Sequence, residues 1–215
     1  MEQLPEVLPV FRVRSTILMP RAILPITMSE SDYLGVASEI LENNLIAVIQ
    51  PRPVFVNGAR NLELIEPFKT GCAGRISDVN VVDGEVSIII QGICRFETIS
   101  EIPTDGADMK RISVSYDKYM IDIEETDELQ EMDKYRLMSA LNTYFKTIEV
   151  SPNWKEIERA PADVLISALA MACPFHPSEK QSLLEVVGIK ERSDMITKII
   201  EMNSFDRYDT ARTVN

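Results

Sequence analysis

The chain has 215 residues, 45% of them hydrophobic and 26% charged, which is enough apolar material for one large core or two small ones. Its formal net charge is −12 and its pI about 4.6. That balance argues against general nucleic-acid binding, because neutralising phosphates takes lysine and arginine. No apolar run nears the ~20 residues that cross a bilayer, and residues 1–11 lack the basic-then-apolar order of a secretory signal, so a cytoplasmic location away from membranes is expected.

Residues 4–25 carry prolines at positions 5, 9, 20 and 25. Proline has no N–H for a central ladder, so this stretch predicts edge strands or strand ends: residues 7–13, residues 17–19, and an extended piece through Ile23, Leu24 and Ile26. Residues 29–44 predict a helix. Ser29 with Asp32 resembles a capping box, and Tyr33, Leu34, Ala37, Ile40 and Leu41 recur at helical spacing. Asn43 and Asn44 can close it in the left-handed region. Residues 45–49 predict a short, wholly apolar strand stopped by Pro51 and Pro53, with turn-rich connections following to residue 65.

Residues 70–101 form the most informative stretch. Asp83-Gly84 separates two β-rich runs, 75–82 and 85–93, and a type I′ hairpin turn needs positive φ at both central positions. A two-residue turn sets Val82 opposite Glu85, Val81 opposite Val86 and Val79 opposite Ile88. Further from the turn the apolar face changes sides, and Gly71, Gly74 and Gly92 lie there. Glycines inside strands mark bulges or tight corners. A hairpin that bends and exchanges its buried face suits a small closed barrel better than a flat sheet. Cys72 and Cys94 fall on opposite faces in this register, so the three cysteines are read as reduced thiols.

Residues 111–120 alternate as a half-buried strand, and past Ile123 helix signals replace β-branched alternation. The expected organisation is a β domain over 1–120, a helical bundle over 121–203 and a polar tail over 204–215. In the bundle, Leu129, Met132, Leu137, Leu141, Tyr144, Phe145 and Ile148 make one amphipathic helix, closed before Pro152. A short helix is expected at 154–158. Another opens with Pro161 at its first position and stops before Pro174. A further one starts at Pro177 and is ended by Gly188, and a last one spans 192–203.

Catalytic signatures are hard to find. No GxxxxGK[ST] phosphate cradle occurs, and no Cys/His spacing makes a zinc site. His176, the sole histidine, sits at a helix start, where capping is the better reading than catalysis. The expectation is a binding protein with no cofactor, no metal and no enzymatic activity.

A series of motifs runs in order along the chain: Leu8-Pro9-Val10-Phe11, Leu18-Met19-Pro20, Leu24-Pro25-Ile26 and Ile49-Gln50-Pro51-Arg52. It continues through Gly71, Gly74-Arg75-Ile76, the Gly84 hairpin and Gly92-Ile93-Cys94-Arg95-Phe96, and ends with Glu179-Lys180-Gln181-Ser182-Leu183-Leu184-Glu185 and Arg192. In this order the motifs resemble the Lon protease N-terminal, or substrate-binding, domain family. The chain departs from the family at Arg21, where glycine is usual after Pro20. It also carries neither the ATPase nor the protease that follow in full-length Lon, and so resembles stand-alone bacterial forms. The resemblance implies an α+β fold, a PUA-like β pseudo-barrel with one inserted helix followed by a helical bundle. It also implies capture of unfolded or degron-bearing polypeptide.

Adaptable methionines suit such binding, and Met19, Met28, Met120 and Met171 are candidates, although methionine at helical spacing more often belongs to a core. The proline-stiffened loops give the named contact candidates Met19, Pro20, Arg21, Gln50 and Arg52. Alternative partners are a folded protein, Lon itself or a second copy. RNA binding by analogy with PUA folds is opposed by the charge.

Overall fold

The computed structural model describes residues 4–37, 40, 44–56, 59–103, 110–123 and 129–213. The chain divides into two compact units, residues 1–125 and 126–215, each with its own core.

Among the described residues the first unit holds eight strands: β1 (Val7–Arg12), β2 (Ile23–Ser29), β3 (Leu45–Ile49), β4 (Pro51–Val56), β5 (Ala59–Pro67), β6 (Thr70–Val82), β7 (Glu85–Ile102) and β8 (Arg111–Ser115). Six form a sheet in the order β2-β7-β6-β3-β1-β8, with β7 also pairing β8; β4 and β5 make a separate ribbon. The extra pairing links β7, β6, β3, β1 and β8 in a ring. It is a ring of pairings rather than the expected pseudo-barrel: β1 and β3 run parallel within an otherwise antiparallel set, and β2 stands outside it. Leu8, Val10, Leu45, Ala47, Ile49, Ala73, Phe96, Ile112 and Val114 fill one core. All five residues of β3 are buried, as its unbroken apolar run requires.

The β6–β7 hairpin dominates this unit. Asp83 and Gly84 have φ of +51° and +81°, both positive as a type I′ turn demands. The pairing expected from the turn holds from Val82↔Glu85 to Asp78↔Ile89. One bulge then shifts it between Ile76 and Asp78, and a second, between Ala73 and Gly74, restores it. Cys72 therefore lies opposite Arg95 and Cys94 opposite Ala73, and all three thiols of the chain are free and buried.

Two glycines are fixed by close approach. A Cβ on Gly92 would collide with the Met19 carbonyl, and one on Gly71 would stand 2.6 Å from the Phe96 ring. Residues 17–19 are not a strand: they cross over the hairpin as a buried extended segment, with Arg21 N–H donating to the Gly92 carbonyl at 2.9 Å. Arg21 itself takes φ +61°, the conformation that glycine would adopt there.

Helix α1 (Glu30–Ala37) opens on Ser29, whose Oγ accepts from Asp32 N–H at 3.1 Å and donates to its carboxylate at 2.6 Å. Most of the rest of the helix expected to residue 44 lies outside the described residues. Asn44 adopts φ +55° immediately before β3. β3 ends at Ile49, ahead of Pro51 as expected, and a new strand, β4, begins at Pro51, since an isolated ribbon tolerates proline on its edge. A 3₁₀ helix, Asp117–Asp122, follows β8 in place of the longer strand expected to residue 120.

The second unit contains α2 (Glu131–Thr147), α3 (Trp154–Arg159), α4 (Ala162–Ala172), α5 (Pro177–Glu185) and α6 (Ile189–Thr213). Leu137, Leu141 and Tyr144 of α2, Ile166 and Ala170 of α4, Leu183 and Leu184 of α5, and Ile196 and Ile200 of α6 form its interior. Pro161 is the N-cap of α4, one position earlier than expected. Gly188 does not end α5, which stops at Glu185 with Val186 extended. Nor does α6 stop at 203: it runs to Thr213, because no proline or glycine interrupts residues 189–213.

Candidate functional site

The motifs that gave the family resemblance are occupied in folding. Arg95 is fully buried in β7 and forks onto Asp122, with Nε–Oδ2 2.9 Å and Nη2–Oδ1 2.7 Å; the Arg95 backbone N–H also donates to Oδ2 at 2.9 Å. Its guanidinium carbon lies 4.4 Å from the centre of the buried Tyr119 ring. Lys118 approaches the same ring at 5.0 Å and pairs with Glu97 at 3.1 Å. This cluster clamps the 3₁₀ helix to β7, and every charge in it is matched. Phe96, next in the motif, belongs to the core and meets Tyr116 edge-on at 6.4 Å.

The helical motif behaves the same way. His176 caps α5: its Nδ1 accepts from Ser178 N–H at 3.3 Å, and its own N–H donates to Glu179 at 2.6 Å. Lys180 donates to the Met171 carbonyl at 2.7 Å, and desolvation pushes its pKa down. Gln181 donates to Glu185 at 2.8 Å. Arg192 reaches back to the carbonyls of Leu183, Val186 and Val187 at 3.2, 2.9 and 3.3 Å. A side chain thus satisfies the end of α5, which is why Gly188 is not needed as the stop.

Burial favours the protonated form of all three thiols. Burial pushes Cys94 up to about 12 and Cys173 up to about 11, and raises Cys72 well above 9.0. Among the described residues, no group of three His, Cys, Asp or Glu side chains is placed to hold a metal ion.

The loop candidates separate into two sets. Met19, Pro20 and Gln50 are buried, so their side chains are part of the fold and present no contact surface. Their prolines read as stiff exposed loops, whereas the segment holding Met19 and Pro20 is pressed onto Gly92 and the Gln50 carbonyl accepts from Phe68 N–H at 3.0 Å. Arg21 and Arg52 are exposed, the first in a tight turn and the second in β4 opposite Glu66. Of the methionines considered, Met120 is exposed while Met28 and Met171 are half-buried.

A surface that sequence reasoning missed lies on the second unit. Tyr135, Met138, Ser139 and Asn142 of α2, with Trp154 and Glu158 of α3, line a cleft of about 420 Å³. The α2 members recur at i, i+3, i+4 and i+7, one face of a helix. Met132, expected in the core, is 75% exposed, and Tyr135 is 74% exposed. Trp154 is held edge-on against Phe145 at 5.9 Å, and Phe145 against Tyr144 at the same spacing. Lys134 Nζ donates to the Glu158 carbonyl at 3.4 Å, tying α2 to α3 beside the cleft. The arrangement offers apolar and aromatic surface with a polar margin of Ser139, Asn142 and Glu158, which suits binding. The available signals were the single tryptophan and a Met-Tyr pair standing off the Leu137-Leu141-Tyr144 stripe.

Comparison with known proteins agrees with the fold. The model of the ATP-dependent protease La (LON) substrate-binding domain matches residues 7–202, and the chain belongs to that family. The Lon protease of Flavobacterium johnsoniae is 28% identical over 209 residues, covering 89% of this chain and 23% of the relative. That of Dictyoglomus thermophilum is 23% identical over 211 residues, covering 91% and 24%. The chain thus spans about a quarter of the length of these curated relatives. Among solved structures, the N-terminal domain of Mycobacterium avium complex Lon protease superposes with a TM-score of 0.62 at 16% identity, over 91% of this chain and 98% of that one. The Lon N-terminal domain protein from Xanthomonas campestris gives 0.61 at 18%, over 88% and 96%. No described helix is long and apolar enough to cross a membrane.

Proposed function

We propose that the chain is a polypeptide-binding domain that captures unfolded or degron-bearing segments and carries out no chemistry on them. The observation that carries this reading is the substrate-binding family match across residues 7–202. The α2–α3 cleft supports it, because exposed Tyr135 and half-buried Met138 and Trp154 present aromatic and adaptable apolar surface that a docking chain would bury at modest entropy cost. Arg21 and Arg52 are the two of the five named candidates whose side chains are exposed.

Trp154 provides the test. A tryptophan-free, reduced and carboxymethylated polypeptide titrated into the protein should shift Trp154 emission saturably. The double variant Met132→Ala/Tyr135→Ala should weaken that binding about tenfold or more while leaving the melting temperature within a few degrees, since both side chains are exposed. No saturable signal for any unfolded chain would overturn the proposal.

A further inference from the structure

The outer half of β6 is an open strand edge. β3 pairs with β6 only as far as Arg75, where Ile76 N–H donates to the Asn44 carbonyl. From Ser77 to Val82 every residue is exposed, and among the described residues no strand pairs with this stretch on its far side.

The direction of its main-chain groups follows from the turn. The pair closing a two-residue hairpin, Val82↔Glu85, is hydrogen-bonded, and bonding then alternates to Asn80↔Ser87 and Asp78↔Ile89. Val79 and Val81 therefore turn their N–H and C=O groups outward. The other side of β7 agrees: its even-numbered residues serve β2, with Gly92 N–H donating to Ala22 and Glu30 N–H donating to the Gly84 carbonyl at the two ends of that ladder. Asp78 Oδ1 occupies the Val79 N–H at 3.0 Å. The Val81 N–H and the carbonyls of Val79 and Val81 remain as an unblunted edge without proline. β2, by contrast, places Pro25 at an outward position and is protected.

The two faces beside this edge differ. Val79 and Val81, 38% and 55% exposed, lie on one face. Asp78 and Asn80 lie on the other, joined by Glu85 across from Val82. Residues 76–94 contain no lysine or arginine, and Asp83, Glu30 and Asp32 add exposed carboxylates at the hairpin end.

We propose that this edge takes up an extended polypeptide segment as an added strand, and that the preferred segment alternates apolar with basic residues. Main-chain bonds at Val81 and Val79 would hold it, its apolar residues lying beside the two valines and its basic residues beside the carboxylates. The inference rests on the polypeptide-binding reading and names a second surface and a substrate class for it.

The probe is a peptide of about ten residues alternating valine and lysine, with a twin N-methylated at alternate residues so that it keeps its side chains and loses its donors. Titrated against the full chain, the parent should bind about tenfold or more tightly than the twin, since each main-chain bond is worth a few-fold. Hydrogen exchange at the Val81 amide should slow several-fold in the complex. Equal binding of parent and twin overturns the inference, because recognition is then by side chains alone. So does an unfolded polypeptide that binds at Trp154 while the alternating peptide leaves Val81 exchange unchanged, and in that case the general reading stands. Protection of Val81 in the protein by itself at rising concentration would assign the edge to a second copy and would overturn it also. Failure of every chain to bind removes both readings together.

Discussion

Asp122 accepts all its described hydrogen bonds from one residue, the buried Arg95, so the pair can be broken from either side. Asp122→Asn keeps the shape but removes the carboxylate charge from the fork that Arg95 makes onto it. Breaking a buried pair costs about 3–5 kcal/mol, whereas replacing both members with apolar groups is often neutral. The lower end, about 3 kcal/mol, is expected here, because the Tyr119 ring still faces the cation and the amide oxygen still accepts. Urea unfolding measures it, and Arg95→Met/Asp122→Leu should recover much of the loss. The thiols make a second residue-scale prediction. Cys94 is raised to about 12 by burial from 9.0, so the unfolded chain gives up its proton first. The stability this represents is complete below about pH 9 and falls as pH rises toward 12. Urea midpoints should therefore drop as pH rises from about 9 toward 12, less steeply in Cys94→Ala, and a thiol reagent should label the cysteines slowly until denaturant is added.

At the scale of elements, the turn at Asp83-Gly84 was legible because few residue types, chiefly glycine, asparagine and aspartate, readily take the two successive positive φ values it needs. The bulges were foreshadowed by Gly74 and Gly92, but not their compensation, which depends on what crosses the hairpin. What crosses is the segment of Leu18 and Met19, read from its apolar residues as a strand. Gly92→Ala tests that contact. Its Cβ would meet the Met19 carbonyl, which the Ala22 N–H holds in place at 3.2 Å, so neither partner yields cheaply. A loss of about 1–3 kcal/mol is expected by thermal melting. Gly84→Ala should cost about 1–2 kcal/mol, from positive φ alone, since no atom lies within 4 Å. In the helical unit, apolar spacing placed α2, α4 and α5, while the end of α5 was misjudged because Arg192, a turn into the next helix, caps it. The α2–α3 cleft could not be read from one helix, since Tyr135 and Trp154 meet only across the connection at 148–153.

Over the whole molecule, on the proposed polypeptide-binding reading, the formal charge of −12 would discriminate between basic and acidic unfolded chains. An apolar cleft alone would be nearly indifferent to ionic strength, while a cationic segment beside Asp78, Asp83 and Glu85 would gain from every carboxylate within a Debye length. That length is ~10 Å at 0.1 M salt and ~3 Å at 1 M, so raising salt across this range leaves contact burial intact and removes the long-range part. A lysine-rich unfolded chain should therefore lose affinity several-fold between about 0.1 and 1 M salt. An acidic unfolded chain should hold or gain, because the same screening relieves its repulsion. Fluorescence anisotropy of the two labelled chains, run as a pair, separates the contributions. Parallel losses for both would mean that charge does not select the ligand, and equal constancy would assign binding wholly to apolar surface such as that around Tyr135 and Trp154.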